Sequence, residues 1–266
     1  MTMQISVSRL KLFKACRQAY RFKYIEGLEP VQKSDALVTG TNYHSKIEEI
    51  YRQGYCTVED FSKECAMALA YEKYIYPKFK MTSVEDWFEY DVGNGYTLIG
   101  RTDGIAEDGH LVEHKTTSMN ITEEYEYELQ WDEQVLAYML AKNTRKMWYT
   151  VVKKPTIRCR ANESEEDFFN RMCKWYEDDT ESKARVFEIE RTDEEVEEFR
   201  QSFIRLGDMM RDAETSPERL IYRNPLHCHC WGRRCEYSSI CLNYDPNQEY
   251  VEFKRRENHY GDQKAG

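Results

Sequence analysis

Long apolar runs are missing from this 266-residue chain. None approaches the length of a bilayer span, and the opening MTMQISVSRLKLF lacks the apolar stretch of a secretion signal. No membrane association is expected, and the cytoplasm is the expected location. Proline and glycine are scarce, at 6 and 12, and no linker, repeat or low-complexity tract breaks the chain. One domain over residues 1–266 is therefore expected. Net positive charge is also missing. A formal charge of −10 excludes a uniformly basic surface but not a local basic groove, which is what nucleic-acid binding needs. Residues 1–33 carry seven Lys/Arg against Glu26 and Glu29, whereas the stretch from Glu163 to Glu198 is strongly acidic. A run of that kind is usually a solvated helix face, so the asymmetry permits a groove without requiring one.

What is present points to a packed core. The hydrophobic share is 41%, with 20 Tyr and 5 Trp, which excludes a disordered chain. Nine cysteines in a reducing compartment favour free thiols or metal ligation over disulfides. Ser6 or Ser8 can cap a first helix running to about Tyr24, with Leu10, Phe13, Tyr20 and Tyr24 on its apolar side. A second helix is expected from about Thr41 and a third over roughly 57–78. The period then changes to two: DWFEYDV, YTLIGRTDGIAE and HLVEHKTTS read as strands of a meander, with turns at Gly93–Gly95 and Asp108–Gly109. A helix over about 123–141, a strand KMWYTVVKKP, a helix 163–179, a strand 184–190 and a helix 193–213 follow. The cysteine-rich tail from Asn224 to Cys241 reads as irregular. The expected fold is α/β, a central mixed sheet flanked by helices.

The sharpest chemical signal is Asp103 followed ten residues later by Glu113-His114-Lys115. Two carboxylates at the ends of neighbouring strands can hold a hard cation such as Mg²⁺ or Mn²⁺. A lysine two residues after the glutamate points to the same strand face and can orient an attacking water beside a phosphate. Alone, the pattern equally describes a solvated hairpin with a cross-strand ion pair. Geometry sharpens it. A two-residue turn at Asp108-Gly109 would pair Asp103 with His114 and turn Glu113 away. A shared cation needs Asp103 opposite Glu113, hence an odd loop such as Glu107-Asp108-Gly109 with Gly109 left-handed.

Two helical pairs add to this. His44 and Glu48 lie one turn apart, so imidazole and carboxylate can approach one metal. Gln134 and Tyr138 are likewise one turn apart, with Gln130 on the same stripe, and can contact a phosphate or a strand; ordinary helix amphipathicity gives the same spacing. Near the C-terminus Cys228, Cys230, Cys235 and Cys241 cluster, and four thiolates suit zinc or an iron–sulfur cluster. Cys56, Cys65, Cys159 and Cys173 read as core or surface thiols.

In this order the pieces resemble the RecB-like branch of the PD-(D/E)XK nucleases, over nearly the whole chain. SVSRLKLFKACRQAYRFKY resembles its opening serine–helix–cysteine segment and GTNYH its Gly-x₃-His motif. GRTDGI resembles its metal-binding aspartate strand, EHK its Glu-x-Lys and QVLAY its Gln-x₃-Tyr. WYTVVKKPTIR and the tail NPLHCHCWGRRCEYSSIC look closest to phage-encoded members and to CRISPR-associated stand-alone exonucleases. The resemblance implies a restriction-endonuclease-like fold in a bacterial cell or phage-infected host. It implies that His44, Asp103 and Glu113, with the His114 carbonyl, hold the cation. Lys115 assists water attack, and Gln134 and Tyr138 contact DNA. It further implies a [4Fe–4S] cluster joining the N- and C-terminal segments through Cys16, Cys228, Cys235 and Cys241. Cys230 competes with Cys228, and a tail-only zinc site that leaves Cys16 out is the rival. Thr102 replaces the proline often found before the aspartate, and helicase motifs are absent.

The activity expected is cleavage of DNA, by an exonuclease acting on single strands or frayed ends, with a helicase, recombinase or other replication or recombination protein as candidate partner. The alternative is a non-cleaving DNA-binding or assembly protein that keeps the fold. Candidate phosphate contacts are Arg17, Lys153, Lys154 and Arg158, together with Lys11, Lys14, Arg233 and Arg234.

Overall fold

The computed structural model describes residues 2–230 and 233–256, the side chains of Pro217, Arg219, Cys230 and Arg233 excepted. In chain order the larger elements are β1 (Met3–Ser6), α1 (Val7–Ala15), α2 (Arg17–Tyr20), β2 (Leu28–Pro30), α3 (Asp35–Gln53), α4 (Lys63–Tyr74), β3 (Met81–Gly93), β4 (Tyr96–Ala106), β5 (Leu111–Thr117), α5 (Glu123–Leu129), α6 (Glu133–Lys142), β6 (Lys146–Lys153), α7 (Glu165–Trp175), β7 (Ala184–Glu190) and α8 (Asp193–Thr215). The architecture is α/β. A mixed sheet runs β1-β4-β5-β6-β7, with β3 also paired to β4, and helices flank it. Among the described residues no helix is long and apolar enough to cross a membrane.

The chain forms two compact units, and β3, β4 and α8 run from one into the other. The first comprises Met1–Lys33, Glu89–Gly100 and Glu198–Gly266. Here β1 pairs parallel with the start of β4, from Met3↔Tyr96 to Ser6↔Ile99. Ser6 caps α1 by accepting from Arg9 N, and Leu10 and Phe13 are buried as the helical spacing predicts. The single helix expected to Tyr24 does not form. Cys16 is extended (φ −160°, ψ 113°), which separates α1 from α2, and a π turn over Arg21–Ile25 follows. Gly207 on α8 lies against Tyr96; a Cβ there would come within 2.8 Å of the ring, so the glycine lets helix and strand approach.

The second unit comprises Ser34–Phe88 and Arg101–Glu197. β4 and β5 pair antiparallel, β5 and β6 parallel, and β6 and β7 antiparallel. Helix α3 begins at Asp35, earlier than Thr41, because Ser34 Oγ accepts from Leu37 N; Gly54 at φ +90° ends it. Tyr43, Ile47 and Ile50 on α3 meet Met67, Ala70 and Tyr71 of α4 in one buried cluster. The helix expected over 123–141 is two helices. Asp132 accepts from Gln134 N and starts α6 afresh, which takes Gln130 off the stripe of Gln134 and Tyr138.

Candidate active site

The site is built on the second unit's central strands. The β4–β5 register runs through Ile105↔Leu111 and Gly104↔Val112, and Ala106 N donates to His110 O at 2.8 Å. The connection is therefore Glu107-Asp108-Gly109, with Gly109 at φ +83°. Asp108 Oδ1 accepts from His110 N at 3.0 Å and Oδ2 from Trp148 Nε1 at 2.9 Å, which pins the loop. One step further along this ladder Asp103 faces Glu113, the odd-loop arrangement that a shared cation requires. Instead of continuing the backbone ladder, His114 N donates to Asp103 Oδ2 at 2.6 Å. Gly104 follows because β3 crosses it closely: a Cβ there would lie 2.4 Å from Ser83 O.

Glu113 is buried, and its two oxygens differ. Oε1 accepts from Lys115 Nζ and, at 2.8 Å, from Gln134 Nε2, while Oε2 is buried without a partner. Gln134 Oε1 accepts from Lys115 Nζ at 2.8 Å, and its amide also donates to the Tyr138 hydroxyl at 2.8 Å. The Asp132 cap thus places Gln134 where it ties carboxylate and ammonium together. His114 alternates to the other side of β5. Its Nδ1 meets Thr150 Oγ1 at 2.8 Å and its ring packs on Tyr71 and Tyr51. His44 Nδ1 lies 3.3 Å from Asp103 Oδ1. Donor atoms of His44, Glu85 and Asp103 all lie within 4.8 Å of one another.

A family model of the PD-(D/E)XK nuclease superfamily matches residues 4–76 and 61–242, most of the chain. The chain belongs to the PD-(D/E)XK nuclease superfamily. No curated protein matches the sequence. Among solved structures it is similar to an alkaline exonuclease (LHK-Exo) from Laribacter hongkongensis, with a TM-score of 0.39 at 12% identity over 82% of this chain and 94% of that one. It is also similar to a phage-related exonuclease from Haemophilus somnus 129PT, with a TM-score of 0.37 at 17% identity over 77% and 96% of the two chains.

The donors suit a cation, as superfamily membership implies. Burial, then the facing Asp103 charge, pushes the Glu113 carboxyl up to about 7 against the pull of Lys115. Burial would raise Asp103 as well, but His44 and His114 hold it well below the usual carboxylate range. For His44, burial lowers the imidazole's affinity for a proton and Asp103 more than restores it. Glu113 Oε2 is the one carboxylate oxygen among these donors that is buried with no partner, and an oxygen-seeking divalent ion would satisfy it.

Several expectations need correction. Glu48 is exposed, and both Glu48 and Glu113 lie outside the group of three; Glu85, on β3 with φ +55°, takes the place beside His44. Tyr138 is only 7% exposed and supports Gln134, so it offers DNA no open surface. Lys153 is buried at the end of β6, whose last five residues are all buried, donates to Asn120 and lies over the Trp175 ring. Arg17 packs between Phe13 and Tyr222 and donates to Leu220 O. Arg158 is exposed and Lys154 half-buried.

In the first unit three cysteines lie in one apolar cluster, and among the described residues no three cysteine sulfurs come within 4.8 Å of one another. Cys16, Cys235 and Cys241 share an apolar cluster with Ala19, Phe22, Leu28, Tyr237 and Ile240. Asn224 donates through its side chain to Ala15 O at 2.7 Å and through its backbone to Cys16 Sγ at 3.5 Å. Cys228 Sγ lies 3.6 Å from Asn224 O, and Cys235 N donates to Cys228 O at 3.0 Å. The Cys230 and Arg233 side chains and the residues Trp231 and Gly232 lie outside the described residues. In the second unit Cys56 and Cys65 are buried and Cys159 is exposed.

Proposed function

We propose that the protein is a metal-dependent DNA nuclease, acting as an exonuclease on single-stranded or frayed ends. The observation that carries the reading is the buried Glu113 Oε2 without a hydrogen-bond partner, on a residue whose register is opposite Asp103, with Lys115 and Gln134 held on the other oxygen of the same carboxylate. A Mg²⁺ or Mn²⁺ ion there would offset charge on a phosphodiester and lower the pKa of water. His44, Asp103, Glu113 and the His114 carbonyl would hold it, with Glu85 in reach. Lys115 stays charged: burial lowers its proton affinity, but Glu113 raises it further. Its ammonium can therefore orient a water and meet a phosphate oxygen. A helicase or recombinase that opens a duplex would supply the frayed end.

The test is incubation with labelled single- and double-stranded DNA, in Mn²⁺ and in EDTA. Metal-dependent degradation of end-labelled single strands supports the reading. DNA binding without cleavage in any divalent metal would move it to a non-cleaving binding or assembly protein.

Two further outcomes follow. Gln134→Leu should lower kcat by about tenfold or more, because Lys115 loses the acceptor that aims it. Its melting temperature should stay within a few degrees of wild type, which a scan alongside the kinetics checks. The second outcome concerns pH. The folded pKa of Glu113 lies above its ordinary value of 4.5. Its charged form therefore costs stability as pH rises from there through about 7, and a bound cation reverses that cost. Mn²⁺ should raise the melting temperature more at about pH 8 than at about pH 5.5, where protons compete for the carboxyl. An equal gain at both pH values would remove Glu113 from the ligand set.

For the cysteines we propose a [4Fe–4S] cluster held by Cys16, Cys228, Cys235 and Cys241. Burial beside Cys16 and Cys241 raises the Cys235 thiol, so a metal that binds thiolates is what would ionise it there. Visible absorbance and iron content of anaerobically purified protein decide between iron–sulfur and zinc.

A further inference from the structure

Beside the acidic group, the second unit carries a cation and an aromatic ring that the proposed chemistry does not use. Arg101 stands on β4 two residues before Asp103, so the strand's period of two directs both to one face. Its guanidinium pairs with the Glu85 carboxylate, itself within 4.8 Å of the His44 and Asp103 donors. The same guanidinium lies over the Trp87 ring, 5.3 Å from the centroid. Both side chains are open to solvent, Arg101 at 47% and Trp87 at 49%. A tryptophan that exposed contributes little to the core.

We propose that Trp87 and Arg101 hold one nucleotide of a single strand against the cation group. The indole stacks on the base, the guanidinium takes the phosphate, and Glu85 fixes the guanidinium's aim. The proposal rests on the reading of this site as a DNA nuclease and specifies which form of DNA it takes. A guanidinium presents five donors in a rigid fork, so it can keep Glu85 on one edge and bind a phosphate with another. Stacking selects the strand form: a base inside a duplex has both faces covered by its neighbours, so Trp87 can reach one only in an unpaired strand or a frayed end.

The test uses the full-length protein, Mn²⁺ and steady-state cleavage of a labelled single-stranded oligonucleotide and a blunt duplex. On the single strand, Trp87→Ala and Arg101→Gln should each raise KM by at least about fivefold with kcat within about twofold. Trp87→Phe, which keeps a ring, should stay within about twofold of wild type in KM. On the blunt duplex Trp87→Ala should change KM by less than about twofold. A structural role for Trp87 would not separate the two substrates and would not be rescued by phenylalanine. If Trp87→Ala does not fold, Trp87→Leu takes its place. A single-strand KM change below about fivefold in either variant overturns the proposal while wild-type cleavage leaves the nuclease reading standing; so does an equal loss on duplex. A wild-type protein that neither cuts nor binds DNA in any divalent metal removes the nuclease reading, and the proposal with it.

Discussion

Asp103→Ala, Glu113→Ala and Lys115→Ala should each lower metal-dependent DNA cleavage by about a thousandfold or more while the protein stays folded. The three losses differ in cause, and metal binding separates them. Asp103 faces Glu113, pairs with His44 and accepts the His114 N–H, so its removal takes away a proposed cation ligand and strands a buried donor. An orphaned N–H costs about 1–3 kcal/mol, so Asp103→Asn, which keeps an acceptor there, is the cleaner probe of the charge. Glu113→Ala removes the oxygen that has no protein partner and releases Lys115 and Gln134 together. Lys115→Ala should keep Mn²⁺ binding, because an ammonium is no ligand, yet lose cleavage. Calorimetric Mn²⁺ titration beside the cleavage assay reads this difference, and circular dichroism checks the fold. Full activity in Asp103→Ala or Asp103→Asn would exclude the site.

The aspartate–glutamate–lysine core was legible in the sequence because its spacing constrains geometry. Ten residues from Asp103 to Glu113 place the two opposite each other only across an odd loop, and Glu107-Asp108-Gly109 with a left-handed Gly109 is that loop. Strand β7 lies where its pattern put it, at Ala184–Glu190, and β4 within a residue of the expected end. Glu85 was not legible: a glutamate at positive φ near a strand's start carries no composition signal, and only the backbone turn delivers it to His44. Helix interruptions at Cys16 and before Asp132 were missed because apolar spacing runs across both. One break is made by an extended backbone and the other by a side-chain cap. The basic residues were the least readable. Lys153 and Lys154 are adjacent letters, but the first ends β6 in a fully buried run and the second lies past the strand, half-buried. Charge in a sequence marks what a side chain can do, and burial decides whether solvent or DNA can reach it.

With the proposed [4Fe–4S] cluster in place, Cys16→Ser should bleach its absorbance in the anaerobically purified protein and lower the melting temperature by more than about 10 °C. Position 16 ends α1 in an extended conformation that helix propensity does not explain, and its sulfur lies in the apolar cluster with Cys235 and Cys241. The Asn224 contacts bring the tail to Cys16 across 208 residues of sequence, so a shared cluster would close a loop of that length. Closing so long a loop removes much unfolded-chain freedom, and losing one of four ligands loses binding free energy that is coupled to folding. Serine puts a hydroxyl into that apolar cluster, so colour and iron content, not the melting temperature, read the loss of the thiolate. Cys228→Ser should act like Cys16→Ser, whereas Cys230→Ser should keep colour and stability close to wild type, because a spare thiol makes no metal bond. The converse pattern would move the ligand to Cys230 and leave the link between the two ends intact. Unchanged colour, metal content and melting temperature in Cys16→Ser would sink that link and favour a zinc site made from the tail alone.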